Sequence, residues 1–124
     1  MDVVGSAVLV VVDGANVVGS VPDGWWRDRK GAAERLRDRL AADGLPGRPA
    51  PVEIVLVVEG AARDVASVPG VRVEAAAGSG DDRVVELVAG SPHRPRLVIT
   101  ADRELRRRVT ELGAEVTGPR AVLG

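Results

Sequence analysis

A chain of 124 residues with a formal net charge of −1 and a sequence pI near 5.8 has the size of one domain, taken here as spanning residues 1–124. Such a balance gives no global pull toward nucleic acid or an anionic membrane, so any phosphate binding must be local. There is no cysteine, which excludes disulfides, thiolate catalysis and zinc–thiolate sites, and Trp25 and Trp26 are the only aromatic residues, so the core must be aliphatic.

The start of the chain carries Asp2 and no basic leader, and its longest apolar run, Ala7 to Val12, is too short for a signal peptide or a membrane span. The expected setting is the cytoplasm, with no membrane partner. That same run, Ala7-Val8-Leu9-Val10-Val11-Val12, reads as a first strand covered on both faces, and it stops abruptly at Asp13-Gly14-Ala15-Asn16. Asp13 to Gly24, with Gly14, Gly19, Pro22 and Gly24, reads as a turn-rich loop. From Trp25 the period becomes helical: Trp25, Ala32, Leu36 and Leu40 share a face, Asp23 or Gly24 is the expected cap, and Gly44 the expected stop.

Leu45 to Pro51 reads as a loop, Val52–Val58 as a second strand ending in Glu59-Gly60, and Val71–Ala75 as a third strand after the Pro69-Gly70 turn. Ala61 to Gly70 shows no clear period. Gly78-Ser79-Gly80 leads into Asp81-Asp82 and a short helix with Val84, Val85 and Val88 inward. Ser91 to Pro95 is a turn, Leu97 to Thr100 a fourth strand, and Ala101-Asp102 its end. A helix with Leu105, Val109 and Leu112 buried runs to Gly113, and Ala114–Thr117 is a short last strand. Strands alternating with helices predict an α/β fold, a three-layer α/β/α domain around a central, mostly parallel sheet of about five strands.

In a parallel sheet all strand carboxyl ends share one edge. Asp13, Glu59, the Asp81/Asp82 pair and Asp102 each follow a strand directly or through a short loop, so four junctions deliver acids to that edge. Each acid alone is explained by a turn or a helix cap. Jointly they repel, a cost offset by a bound cation or by proton uptake. The natural cation for such oxygen ligands is Mg²⁺ or Mn²⁺.

Asp13-Gly14-Ala15-Asn16, Asp81-Asp82 at a helix start, and Thr100-Ala101-Asp102-Arg103-Glu104-Leu105 after a strand resemble the NYN domain, a branch of the PIN-like nuclease superfamily, and within it the YacP-like group. The similarity runs over nearly the whole chain in the right order. It implies strand one at the centre between strands two and four, clustered aspartates binding divalent metal, and cleavage of RNA, free or on the ribosome. By position, Asp13, Asp82 and Asp102 are the implied metal ligands, with Asp81 and Glu59 as lesser candidates. Asp82 is preferred to Asp81 because Glu86 then falls four residues on. Asn16 would hold a phosphate oxygen or a metal-bound water, Glu86 would orient the attacking water, and Thr100 offers a hydroxyl beside Asp102. Val58-Glu59-Gly60 departs from the aromatic-acid pattern common after strand two, which leaves the role of Glu59 open.

Arg63 and Arg103 are placed to meet phosphates, whereas Arg106 to Arg108 read as a solvated helix face. One tryptophan should join the core stripe; Trp26 is the candidate to stack on a base. His93, in the turn entering strand four, lies at the opposite edge from the acids. Two further functions use the same residues. The carboxylates and metal would serve a hydrolase of small nucleotide phosphoanhydrides, and the fold alone would serve a non-catalytic RNA- or partner-binding domain.

Overall fold

Runs of apolar residues set up five strands, and the burial of the three central ones on both faces follows from helices packed above and below. The computed structural model describes residues 7–47 and 51–123. The start of the chain and part of the loop expected over 45–51 lie outside them. In order, the elements are β1 (Val8–Asp13), α1 (Gly14–Gly19), α2 (Arg29–Asp43), β2 (Val52–Val58), β3 (Val71–Ala75), α3 (Gly80–Ala89), β4 (Arg96–Ile99), α4 (Arg103–Glu111), β5 (Glu115–Thr117) and α5 (Arg120–Leu123).

All neighbouring strands pair in parallel, in the order β3-β2-β1-β4-β5. Strand one is central, as expected. The chain steps outward from β1 through β2 to β3, then returns across the sheet to place β4 on the other side of β1. The gap between the ends of β1 and β4 is therefore the topological switch point, where open α/β sheets bind ligands.

Side-chain alternation divides the core in two. Val10 and Val12 of β1 pack with Val17 of α1, Leu36 and Leu40 of α2 and Val122 of α5. Leu9 and Val11 pack with Val84 and Val88 of α3 and Leu105 and Val109 of α4. The period of two that sorts these residues continues past the strand ends. Asp13 follows Leu9 and Val11, Glu59 follows Val55 and Val57, and Thr100 follows Val98, so all three belong to the face covered by α3 and α4. The starts of those two helices carry Asp81 and Asp102.

Two expectations are corrected. The loop expected over 13–24 contains α1, a helix of 6 residues whose sequence, Gly-Ala-Asn-Val-Val-Gly, has poor intrinsic propensity. Packing overrides propensity there, since Val17 is fully buried, and the Ser20 hydroxyl donates to the Val17 carbonyl at 2.7 Å to close the end. The following helix does not begin at Trp25. Gly24, at φ +80°, opens a single 3₁₀ turn over Trp25–Arg27, and Asp28 then starts α2 by accepting the Gly31 N–H at 2.9 Å. The short α5 has no counterpart in the sequence reading.

Arg96, buried at the start of β4, donates to the Val88 carbonyl at 2.7 Å and the Leu112 carbonyl at 2.8 Å. It thereby satisfies the ends of α3 and α4, where carbonyls without helical partners favour a cation. No helix among the described residues is long and apolar enough to cross a membrane.

Candidate active site

Asp13 ends β1 and is almost fully buried, with 4% of its surface exposed. Close approach explains the residue after it. A Cβ on Gly14 would stand 2.5 Å from the Val57 carbonyl oxygen, so only glycine lets α1 start against β2. Gly14 is absent from the positive-φ glycines, and its value here is the missing side chain.

Thr100 joins the two sides of the switch point. Its hydroxyl donates to Asp13 Oδ2 at 2.9 Å and accepts the Asp102 N–H at 3.1 Å. Asn16 makes the second cross-link, its Oδ1 accepting the Ala101 N–H at 2.8 Å. Arg106, expected on a solvated face, donates from Nε to the Thr100 carbonyl at 2.8 Å and so braces the same turn. Asp102 caps α4, its Oδ1 accepting the Leu105 N–H at 2.9 Å. Glu59 reaches across to the start of α3, where its Oε1 accepts the Gly80 N–H at 3.0 Å.

The electrostatics show which acids share the edge. Burial raises the Asp13 carboxyl, and the charges of Asp81 and Glu59 raise it further. The Thr100 hydroxyl and the Asn16 backbone N–H oppose the rise, leaving it at about 6 from an ordinary 3.8. Burial also raises Asp81, as do the charges of Asp102, Glu59 and, least, its neighbour Asp82, against the opposing pull of Arg108. The structure thus brings Asp13, Glu59, Asp81 and Asp102 together.

Asp82 and Glu86 stand elsewhere, contrary to the preference drawn from the sequence. Asp82 pairs with Arg108 of α4 at 3.0 Å, and Glu86 pairs with Arg83 at 3.1 Å; both carboxylates are well exposed. The cause is helical phase. Val84, Val85 and Val88 lie three, four and seven residues after Asp81, so Asp81 continues the inward stripe, and Asp82 is turned about 100° away. That signal was present in the sequence.

Arg63 and Arg103 are exposed at the same edge; Arg63 donates from Nε to the Gly60 carbonyl at 3.1 Å, closing the turn after β2. Arg107 alone behaves as a solvated charge, pairing with Glu104 and with Glu111. His93 is exposed in the turn before β4. Neither tryptophan joins the core stripe. Trp25 leaves the core stripe and lines a cleft beside Glu59, whereas Trp26, 54% exposed, lies on the surface and is not part of that cleft.

The donors at this edge are carboxylate, hydroxyl and amide oxygens, the chemistry suited to Mg²⁺ or Mn²⁺. Burial and mutual repulsion of the acids fit the same kind of ion. As the side chains stand, no three acidic or histidine groups among the described residues form a ready set of metal ligands. Glu59 and Asp102 each hold a helix N-terminus with one carboxylate oxygen, so ligation would draw on the other oxygen or on a rotated side chain.

The chain shares its fold with Rae1 (YacP) of Bacillus subtilis. That crystal structure superposes with a TM-score of 0.67 over 93% of this chain and 71% of the other, at 19% sequence identity. No family profile matches the sequence, and no curated protein matches it significantly.

Proposed function

We propose that this chain is a divalent-metal-dependent ribonuclease that hydrolyses RNA phosphodiester bonds at the carboxyl edge of β1 and β4. One observation carries the reading: a buried carboxyl, Asp13, is pushed up to about 6 among other acids at the topological switch point. The fold shared with Rae1 (YacP) and the resemblance of the sequence to the YacP-like group support it.

Asp13, Asp81 and Asp102 would hold Mg²⁺ or Mn²⁺, directly or through water, with Glu59 beside them. An ion of that kind activates water and offsets charge on phosphodiester oxygens. Thr100 orients the Asp13 carboxylate by donating to it and fixes the Asp102 backbone by accepting its N–H. With its carbonyl committed to Ala101, Asn16 has its NH₂ as the group that can donate to a phosphate oxygen. Arg63 and Arg103 supply the local positive charge that the net charge of −1 does not. Asp82 and Glu86, tied to Arg108 and Arg83, hold the helices instead. The proposed substrate is cytoplasmic RNA, free or on the ribosome.

The test compares RNA cleavage in Mg²⁺ or Mn²⁺ by the wild type and by Asp13→Asn, Asp81→Asn, Asp102→Asn and Asp82→Asn. Loss of about 100-fold or more is expected in the first three, and a much smaller loss in Asp82→Asn. Undiminished cleavage by Asp13→Asn and Asp102→Asn would sink the site. Hydrolysis of nucleoside triphosphates without RNA cleavage would give the same carboxylates a small phosphoanhydride substrate. Turnover of neither would leave a binding domain.

A further inference from the structure

A cleft of about 150 Å³ opens beside the carboxylates, on the side of the sheet edge covered by α1 and α2. Val18, Ala33 and Val58 make its apolar walls, and Trp25 and Arg29 stand at its side. The Arg29 guanidinium carbon lies 5.1 Å from the Trp25 ring centroid, a cation–π distance. Gly14 and Glu59 also line the cleft, and these two residues border the acid cluster as well. The cleft therefore adjoins the carboxylates through Gly14 and Glu59.

Size, chemistry and continuity select an occupant. A protein cavity of about 150 Å³ accepts one six-membered aromatic ring. An indole with a guanidinium on its face recognises flat, polarisable rings, the way single-stranded nucleic acid is held on aromatic and arginine side chains. A ring seated here would leave its attached sugar and phosphate toward Gly14 and Glu59, next to Asp13. We propose that the cleft is a base-binding subsite that takes a pyrimidine nucleotide, stacked on the Trp25–Arg29 pair, with its phosphate directed to the carboxylate cluster. The proposal rests on the ribonuclease reading for the identity of its substrate. Binding, however, is measurable without cleavage.

The Trp26→Phe chain makes Trp25 the sole indole. Titrating it with uridine and cytidine 5′-monophosphates in EDTA should give saturable quenching of fluorescence, stronger than with purine nucleotides. Adding Arg29→Ala, an exposed position, should weaken the binding about 5-fold or more, within the range that one base–side-chain stack contributes. The Trp25→Phe chain, with Trp26 alone, should show no saturable change. In RNA cleavage, an abasic residue at the bound position should raise KM about 5- to 150-fold relative to the intact strand.

The outcomes separate the two readings. Quenching at Trp25 in a protein that cleaves no RNA removes the ribonuclease and supports the cleft. RNA cleavage without quenching at Trp25, or with equal rates on abasic and intact strands, overturns the cleft and leaves the ribonuclease. Equal quenching in the Trp25→Phe chain moves the stack to Trp26 and overturns the proposal.

Discussion

Replacing Asp13 by asparagine should stabilise the metal-free protein at neutral pH, although it removes a buried hydrogen-bonded group. The Asp13 carboxyl is raised from 3.8 to about 6, chiefly by burial, so the folded state prefers it protonated. The native pKa lies above the unfolded one. Between the two values the folded state binds more protons, so this contribution to stability is full below about pH 4 and is lost as pH rises through about 6. A shift of about two units corresponds to roughly 3 kcal/mol once Asp13 is ionised. Asparagine carries no charge and keeps a carbonyl oxygen for the Thr100 hydroxyl, so it escapes that loss. The assay is urea unfolding of both proteins in EDTA at intervals between about pH 4 and pH 8. The variant should match the wild type within about 1 kcal/mol at the acid end and exceed it by about 3 kcal/mol above pH 7. A difference independent of pH, or a variant less stable at pH 7, would refute the electrostatic account of the site.

Mn²⁺ should raise the wild-type melting temperature, with stabilisation of about 2.7 kcal/mol at a hundred times its Kd, and should do so much less for Asp13→Asn. No shift at millimolar Mn²⁺ in either protein would count against a metal site. Two glycine substitutions should separate backbone from side-chain collisions. In Gly14→Ala the new Cβ meets the Val57 carbonyl, which cannot rotate away, and a loss of about 2–3 kcal/mol in urea unfolding is expected. In Gly80→Ala the new Cβ meets the movable end of Glu59, so unfolding should change by only about 1 kcal/mol while the Mn²⁺ shift is altered. Arg96→Met should lower stability by about 3 kcal/mol, because the terminal carbonyls of α3 and α4 lose their charged donor. A change below about 1 kcal/mol would show that those carbonyls find other partners.

Much of the edge is legible in the sequence. The apolar run of β1 and its stop at Asp13, the Glu59 that follows β2 and the Asp102 that follows β4 are local features, and parallel pairing sends their ends to one side. The strand order came from the resemblance, since nothing in a strand's own residues says which neighbour it takes. α1 was not legible: its glycines and valines argue against a helix, and burial of Val17 against the sheet decides for one.

The sequence by itself determined which chemical groups arrive at the carboxyl edge, because strand period and strand direction are local properties of the chain. Tertiary packing decided which of those groups face one another. A helix turns about 100° per residue, so the seating of α3 on the sheet puts Asp81 among the acids and leaves Asp82 to Arg108. Packing also turned Trp25 out of the core stripe and into the cleft, since the break at Asp28 separates it from the helix whose period it seemed to share. Asp13, already marked in the sequence as a charge at the end of an apolar strand, became a raised carboxyl only when packing buried it and set Asp81 and Glu59 near it, against the opposing hydrogen bond from Thr100.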